Sequence, residues 1–196
     1  MTANRTIFGI TGGSGSGKSY ISELLRGLGV TVLDADKIGH LVTEPRGSAY
    51  TELRAHFGSG VFAPDGTLMR RELAKVVFAD ERELRILNEI THKHIKNEIM
   101  KQLDCCSGLC AIDGAVIIGS TVEELCAFLI GVIAPEELRI DRICTRDGIS
   151  RAQAEARIAT QPDEEFYRAH CRYIIENDGS GALLPQLERI LEENRL

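Results

Sequence analysis

The chain has 196 residues, a length typical of one globular domain. Hydrophobic residues make up 43% of it and charged residues 27%, which excludes collagen-like, low-complexity and disordered chains. Asp and Glu number 29 against 23 Lys and Arg, so the formal net charge is -6. This acidic balance disfavours binding to nucleic acid or to an anionic membrane, whereas a small anionic ligand needs only local positive charge.

The chain start carries no apolar segment of the length that a secretory signal needs. The longest apolar run, residues 125–134, is about half of the roughly 20 residues of a membrane-spanning helix. We therefore expect a cytoplasmic protein, monomeric or weakly self-associating. The sequence has 6 cysteines but no paired CxxC motif, so we expect reduced thiols rather than a metal site, even where Cys105, Cys106 and Cys110 cluster.

Short, continuous apolar runs predict five β-strands, at residues 7–11, 30–33, 109–112, 128–134 and 173–175. Segments with helical periodicity separate these runs. Continuous rather than alternating runs are typical of a parallel sheet that is covered on both faces. The predicted fold class is therefore α/β, with a five-stranded parallel sheet.

Helices are predicted between the strands and after the last one. The long stretch 37–102 has helical spacing of its apolar residues and predicts a helical insertion beside the sheet. A helix is predicted at 136–147, because Pro135 can start it and Gly148 can end it. A second helix is predicted at 151–160, where Ser150 and Gln153 have the spacing of a capping box. Further helices are expected at 20–28 and 185–194, all within a single domain of residues 1–196.

The strongest motif lies in the first twenty residues. Gly12-Gly13-Ser14-Gly15-Ser16-Gly17-Lys18-Ser19 fits the pattern G-x-x-x-x-G-K-[ST] and follows a predicted strand. In this P-loop pattern backbone N–H groups surround phosphate oxygens, Lys18 reaches the β and γ phosphates, and Ser19 ligates Mg²⁺. ATP or GTP with Mg²⁺ is implied. The predicted nucleotide site comprises Gly13, Ser14, Gly15, Ser16, Gly17, Lys18, Ser19 and Tyr20.

Two carboxylates follow the second predicted strand, at Asp34 and Asp36. Period-two alternation would place both on one face, at the carboxyl edge where doubly wound sheets bind ligands. Asp36 is the candidate acceptor of a proton from a substrate hydroxyl. The alternative is a structural role as N-cap of a helix that starts at Lys37.

Arginines recur along the predicted helix 136–147. Arg139, Arg142 and Arg146 share one helix face, and Arg157 follows on the next helix. Such a row is often a solvated surface. Beside a P-loop, however, cations on a closing lid are needed to neutralise a transferring phosphoryl group, so we assign Arg142 and Arg146 to that role.

Over nearly its whole length the sequence resembles the dephospho-coenzyme A kinase family of P-loop small-molecule kinases. The resemblance begins at Gly9-Ile10-Thr11 and runs through the P-loop and Asp34-Ala35-Asp36. It continues at Leu87-Asn88 with His92, Pro135-Glu136-Glu137-Leu138, Arg142 with Arg146-Asp147-Gly148, Glu155-Ala156-Arg157-Ile158-Ala159 with Gln161, and Ile175-Glu176-Asn177-Asp178-Gly179.

The resemblance implies a nucleoside-monophosphate-kinase-like core, a helical coenzyme A-binding insertion at about 37–102 and a lid at about 136–161. It implies transfer of the γ-phosphate of ATP, with Mg²⁺, to the ribose 3′-hydroxyl of dephospho-coenzyme A, the last step of coenzyme A biosynthesis. Asp36 matches the position of the family's catalytic base, and Asn177 lies where the family holds the adenine of ATP. The catalytic set is then Lys18, Asp36, Arg142 and Arg146, and the substrate side is assigned to Asp34, Asp36, Arg70, His92 and Asp113.

The chain departs from the family pattern after the third strand. The family usually continues Asp-x-Pro-Leu-Leu-x-Glu, whereas here Ala115 and Gly119 stand at the Pro and Glu positions. We expect a looser loop and a weaker hold on the acceptor. Two alternatives remain: a related P-loop nucleoside or nucleotide kinase with another acceptor, and an ATP-binding or ATP-hydrolysing protein without an acceptor.

Overall fold

The computed structural model describes residues 5–194. The chain divides into two compact units, residues 1–33 with 106–196, and residues 34–105. The first unit is built on a parallel sheet and the second is helical. The predicted helical insertion at 37–102 thus coincides with a compact unit that begins three residues earlier and ends three residues later.

The sheet has five strands in the order β2-β3-β1-β4-β5. β1 pairs in parallel with β3 on one side and with β4 on the other, and β4 pairs in parallel with β5. All five predicted strands are confirmed, with bounds that differ by one or two residues. They are β1 (Arg5–Thr11), β2 (Thr31–Asp34), β3 (Gly108–Asp113), β4 (Phe128–Ile133) and β5 (Tyr173–Glu176).

The main core lies on the sheet face that packs against the first and last helices. Alternate residues of the central strands, such as Phe8, Ile10 and Ile130, are fully buried there. The rings of Phe8 and Phe128 stack with their centroids 5.2 Å apart. The covering helices are α1 (Lys18–Gly27) and α9 (Leu183–Glu193). β1, which carries the P-loop at its end, is therefore anchored in the centre of this core.

The remaining helices of this unit follow β4. They are α6 (Glu136–Asp147), α7 (Arg151–Ala159) and α8 (Glu164–His170). α6 and α7 form the predicted hairpin, held by a small cluster of Ile140, Ile143, Ala154 and Ile158. The predicted capping box at Ser150 and Gln153 is present, and Gly148 ends α6 in the left-handed conformation with φ 65°.

The sequence analysis was wrong about two helices. It missed α8, although Asp163 caps that helix by accepting a hydrogen bond of 2.8 Å from the Phe166 N–H. It also placed the start of the last helix at Pro185, whereas α9 starts at Leu183. Proline is tolerated in the first turn of a helix because N–H groups there have no partner within the helix.

The helical unit contains four α-helices and a short 3₁₀ turn within its residues 34–105. The helices are α2 (Ala35–Thr43), α3 (Tyr50–Phe57), α4 (Arg70–Ala79) and α5 (Glu81–Leu103). The apolar spacing in the sequence falls within α5, which packs against α2, α3 and α4. Among residues 5–194, no helix has the length and apolar character needed to cross a bilayer.

All six cysteines lie within the described residues, and none is in a disulfide. Burial raises the pKa of the Cys110 and Cys171 thiols to about 11. Burial, with a further contribution from the charge of Glu123, raises that of Cys126 to about 12. These three thiols therefore stay protonated at neutral pH, whereas Cys105 is exposed.

We expect iodoacetamide at pH 8 to alkylate Cys105 well before Cys110, Cys126 and Cys171, because only a solvent-accessible thiolate reacts quickly. Intact-protein mass spectrometry followed by peptide mapping gives the order of labelling. The variant Cys105→Ser serves as the control and should lose the first label. Early modification of Cys110, Cys126 or Cys171 in the folded protein would contradict this assignment.

Candidate active site

The P-loop connects the end of β1 to the first turn of α1. Gly17 stands at the helix N-cap with φ 95°, and Gly15 has φ 77°, both in the left-handed region that favours glycine. Gly17 has no side chain that could cap the helix, so the first N–H groups of α1 are left for a ligand. A helix N-terminus of this kind attracts anions.

Lys18 begins α1 and forms an ion pair with the Asp113 carboxylate. The two side chains are 15% and 8% exposed, so the pair is largely withdrawn from water. The second carboxylate oxygen of Asp113 accepts a hydrogen bond of 2.7 Å from the Ser22 hydroxyl. Asp113 ends β3, the neighbour of β1, so the pair fixes the Lys18 ammonium at the carboxyl edge of the sheet.

Two side chains from the 136–161 segment hold Ser14 in the P-loop. Gln161 Oε1 accepts from the Ser14 N–H at 2.8 Å, and Gln161 Nε2 donates to Ser14 Oγ at 2.7 Å. Arg139 Nε donates to the Ser14 carbonyl oxygen at 2.9 Å, and Arg139 Nη2 donates to Gln161 Oε1, also at 2.9 Å. Burial lowers the pKa of Arg139. Every polar group of Ser14 is thus engaged by these two residues.

Arg142 and Asn177 hold the next two peptide groups. Arg142 Nη1 donates to the Gly15 carbonyl at 3.1 Å and to that of Ser16 at 3.4 Å. Asn177 Nδ2 donates to the Ser16 carbonyl at 2.8 Å, and its Oδ1 accepts from Arg142 Nη2 at 3.0 Å. In this conformation the Arg142 guanidinium and the buried Asn177 amide therefore brace the loop.

One P-loop hydroxyl has no partner. Ser16 Oγ is buried without a hydrogen bond, which is costly unless a ligand or water completes it. Ser19 and Tyr20 follow in the first turn of α1 and are both exposed, Tyr20 by 53%. A P-loop with an unsatisfied hydroxyl and a helix N-terminus without a capping side chain fits a bound phosphate group.

Arg146 lies farther along α6 and makes different contacts. Its guanidinium donates to both carboxylate oxygens of Asp147, at 2.7 and 2.9 Å, and Arg157 of α7 pairs with the same carboxylate. Hydrogen bonds from Arg146 and Arg157 hold the pKa of Asp147 below its usual range. The Arg146 side chain is 60% exposed, so an exposed pair of this kind opens at little cost.

The helical unit begins at Asp34 and carries the predicted proton acceptor. The alternation argument that placed Asp34 and Asp36 on one strand face is wrong, because α2 begins at Ala35. Asp34 is the N-cap of α2 and accepts a hydrogen bond of 2.8 Å from the Lys37 N–H. Asp36 lies in the first turn of that helix, where its side chain is exposed.

The other acceptor-side candidates of this unit are Arg70 and His92. Arg70 starts α4 and donates to the Thr43 hydroxyl, at the end of α2, at 2.9 Å. His92 lies in α5, and burial lowers its pKa, which favours the neutral imidazole. Arg70 therefore joins α4 to the end of the helix that carries Asp36.

The segment after Asp113 lacks the proline and the glutamate of the family pattern but makes contacts of its own. Thr11 Oγ1 donates to the Ala115 carbonyl at 3.2 Å, and Ile117 is buried. The Gly119 N–H donates to a carboxylate oxygen of Glu123 at 2.6 Å. Hydrogen bonds and a buried side chain hold this segment where the family has a proline, and the weaker hold on the acceptor stays a prediction.

Gly119 has φ 75°, so a residue with a Cβ is strained there even though no atom would contact that Cβ. We expect Gly119→Ala to lower the free energy of unfolding by about 1 kcal/mol. Gly27→Ala is the matched control, because Gly27 lies in α1 with open space around it and outside the left-handed region. Urea denaturation should show that the control is neutral or stabilising. Equal effects of the two variants would contradict the assignment.

Two residues of this site were not identified as functional from the sequence. Arg139 belonged to the arginine row on α6, and Gln161 contributed only to the family resemblance. The spacing of the arginines was the sequence signal that could have identified Arg139, since residues three apart on a helix share a face. Its first two members, Arg139 and Arg142, face the P-loop, whereas the third, Arg146, pairs with Asp147.

Comparisons with known proteins identify the family of the chain. Residues 6–182 match the family described as dephospho-CoA kinase. The dephospho-CoA kinase of Corynebacterium diphtheriae is 33% identical over 189 residues, which cover 94% of each chain.

Two solved structures are also similar. That of the Thermus thermophilus protein TT1252 has 32% identity and a TM-score of 0.85, covering 98% of this chain and 100% of its own. That of the Campylobacter jejuni dephospho-CoA kinase has 26% identity and a TM-score of 0.60, covering 97% and 98%. With a family match over most of its length and this fold, the chain belongs to the dephospho-CoA kinase family.

Proposed function

We propose that this protein transfers the γ-phosphate of ATP to the ribose 3′-hydroxyl of dephospho-coenzyme A, producing coenzyme A and ADP. The observation that carries the proposal is the P-loop, with Lys18 fixed on Asp113 at the carboxyl edge of the sheet, in a member of this family. A loop of this kind binds phosphate through backbone N–H groups and one ammonium.

The nucleotide side of the site is the part best supported by contacts. The loop N–H groups and Lys18 are suited to the β and γ phosphates, and Ser16 Oγ is a buried hydroxyl that a phosphate oxygen would satisfy. We assign the adenine to the neighbourhood of Asn177, whose amide braces the loop at Ser16. Gly13, Ser14, Gly15, Gly17, Ser19 and Tyr20 complete the proposed ATP site.

The donors at the start of α1 fit Mg²⁺. Ser19 presents an exposed hydroxyl in the first helical turn, and hydroxyl and phosphate oxygens are hard ligands that Mg²⁺ accepts. We propose that Ser19 holds the ion together with the ATP phosphates. Bound there, Mg²⁺ neutralises phosphate charge. The Asp113 carboxylate instead balances the charge of Lys18.

We assign the acceptor hydroxyl to Asp36. In the reaction the 3′ oxygen forms a bond to the γ phosphorus, the bond from that phosphorus to the bridging oxygen of ADP breaks, and the hydroxyl proton passes to a base. Asp36 is an exposed carboxylate at the start of α2. Arg70 and His92 of the same unit, with Asp34 and Asp113, are the proposed contacts to dephospho-coenzyme A.

Arg142 and Arg146 are the proposed lid cations. Arg146 is held only by an exposed pair with Asp147, so a transferring phosphoryl group competes well for its guanidinium. Arg142 is nearer the loop and stays beside the nucleotide through its contacts with Gly15 and Asn177. Cytoplasmic location and a monomeric or weakly associating state stay predictions from the sequence.

A coupled assay with ATP, Mg²⁺ and dephospho-coenzyme A tests the proposal directly. Formation of coenzyme A and ADP in equal amounts is the expected result. Adenosine, shikimate and a nucleoside monophosphate serve as competing acceptors. Faster transfer to one of these, or ATP hydrolysis unchanged by any acceptor, would contradict the proposed function.

We expect Lys18→Ala to reduce kcat/KM by a factor of about 10² to 10³, because a preorganised charge at the phosphates contributes that much to transition-state stabilisation. The assay is the coupled one with saturating dephospho-coenzyme A. Lys101→Ala is the control, since the Lys101 side chain is 72% exposed and pairs with Glu98. Wild-type activity in Lys18→Ala would rule out the P-loop as the phosphate site.

Asp36→Asn should lower kcat strongly and leave the dissociation constant of ATP unchanged, because an amide keeps the shape of the carboxylate but accepts no proton. Steady-state kinetics and calorimetric titration with ATP separate the two quantities. Asp80→Asn is the matched control, since Asp80 caps α5 and Asn caps a helix equally well. An unchanged kcat would leave Asp36 with a structural role only.

A further inference from the structure

Ser14 is the P-loop residue with the most side-chain contacts from outside the loop. Gln161 contacts its N–H and its hydroxyl, at 2.8 and 2.7 Å, while Arg139 contacts its carbonyl at 2.9 Å. The two contacting side chains are also joined to each other at 2.9 Å. This closed network connects the loop to α6 and to Gln161, which follows the C-cap of α7.

The glycines on either side of Ser14 make this network possible. A Cβ at Gly13 would lie 2.9 Å from Gln161 Oε1, and one at Gly15 would lie 2.6 Å from the Arg139 carbonyl oxygen. A side chain at position 13 would therefore displace the ends of the Arg139 and Gln161 side chains, and one at position 15 would overlap the backbone of α6. Glycine at positions 13 and 15 therefore leaves the room that Arg139 and Gln161 occupy against the loop.

The chemistry of the Gln161 contact is suited to a phosphate loop. Its amide oxygen satisfies the Ser14 N–H without adding negative charge beside the triphosphate, which a glutamate would do. Its NH₂ group at the same time fixes the Ser14 hydroxyl. A neutral side chain that both accepts and donates thus holds the loop in one conformation before the nucleotide arrives, and preorganisation of this kind raises affinity.

We infer that Gln161 is a positioning residue for the nucleotide: it holds Ser14, and through Ser14 the first half of the P-loop, in the conformation that binds ATP. The inference deepens the proposed function and rests on it for the identity of the nucleotide. Gln161 acts through the loop, so its loss weakens nucleotide binding while the affinity for the acceptor stays the same.

Two variants remove the contact in different ways. Gln161→Met keeps the length of the side chain without its hydrogen bonds, and Gln161→Asn keeps the amide but is one methylene too short to reach both Ser14 atoms. We expect each to raise the KM for ATP and the dissociation constant of ADP about tenfold, the factor that corresponds to one net hydrogen bond. The KM for dephospho-coenzyme A should change less than twofold.

Gln153→Met is the matched control from the same hairpin. Gln153 Oε1 accepts from the Ser150 N–H at 2.9 Å in the capping box of α7 and contributes no P-loop contact. This variant should lower the melting temperature and leave the KM for ATP unchanged. An equal rise in the KM for ATP in this control would attribute the effect to hairpin stability and overturn the inference.

Ser14→Ala completes a double-mutant cycle with Gln161→Met. Because the Ser14 hydroxyl is bound by Gln161, the double variant should bind ADP at least threefold more tightly than the product of the two single effects predicts. Multiplicative effects, or ADP binding within twofold of wild type in both folded Gln161 variants, would overturn the inference. Calorimetric titration with ADP needs no acceptor, so a wild-type protein that binds ADP but does not phosphorylate dephospho-coenzyme A would contradict only the proposed function.

Discussion

The P-loop must leave N–H groups other than that of Ser14, which Gln161 holds, available for phosphate while the loop itself stays in one conformation. Three consecutive carbonyl groups, of Ser14, Gly15 and Ser16, accept hydrogen bonds from Arg139, Arg142 and Asn177. In a trans peptide the C=O and the following N–H point in opposite directions, so these bonds turn the N–H groups of Gly15 and Gly17 away from the bracing side chains. The rest of the nucleotide site depends on this arrangement.

The sheet holds the P-loop at both of its ends. β1 lies in the centre of the sheet with Phe8 and Ile10 fully buried, so the start of the loop cannot move without disturbing the core. Asp113 ends the neighbouring strand and holds the Lys18 ammonium from the other end of the loop. The position of the Lys18 ammonium is therefore determined by strand register, a property of the whole sheet.

The fold could be predicted largely from the sequence because its strands are continuous apolar runs and its helices carry cap signals such as Gly148 and Ser150. The site could be predicted only in part. Asp36 was given the wrong local structure, since alternation was extended beyond a strand that ends at Asp34. Contacts such as Gln161 with Ser14 join residues 147 positions apart, and no local pattern encodes them.

Glycines in this motif are commonly explained by the close approach of the phosphate. Here they also leave room for the residues that contact the loop from its outer side. A Cβ at Gly15 would lie 2.6 Å from the Arg139 carbonyl oxygen, and one at Gly17 would overlap the Asn177 amide. Both positions also have a positive φ, so steric exclusion and backbone conformation favour glycine together. The loop is thus shaped from its outer side by α6 and by the residue after β5, and its inner side is left to the phosphate. Arg139 and Arg142 lie on α6 and contact the loop at its carbonyl groups, so α6 helps to set the loop conformation directly rather than through the sheet.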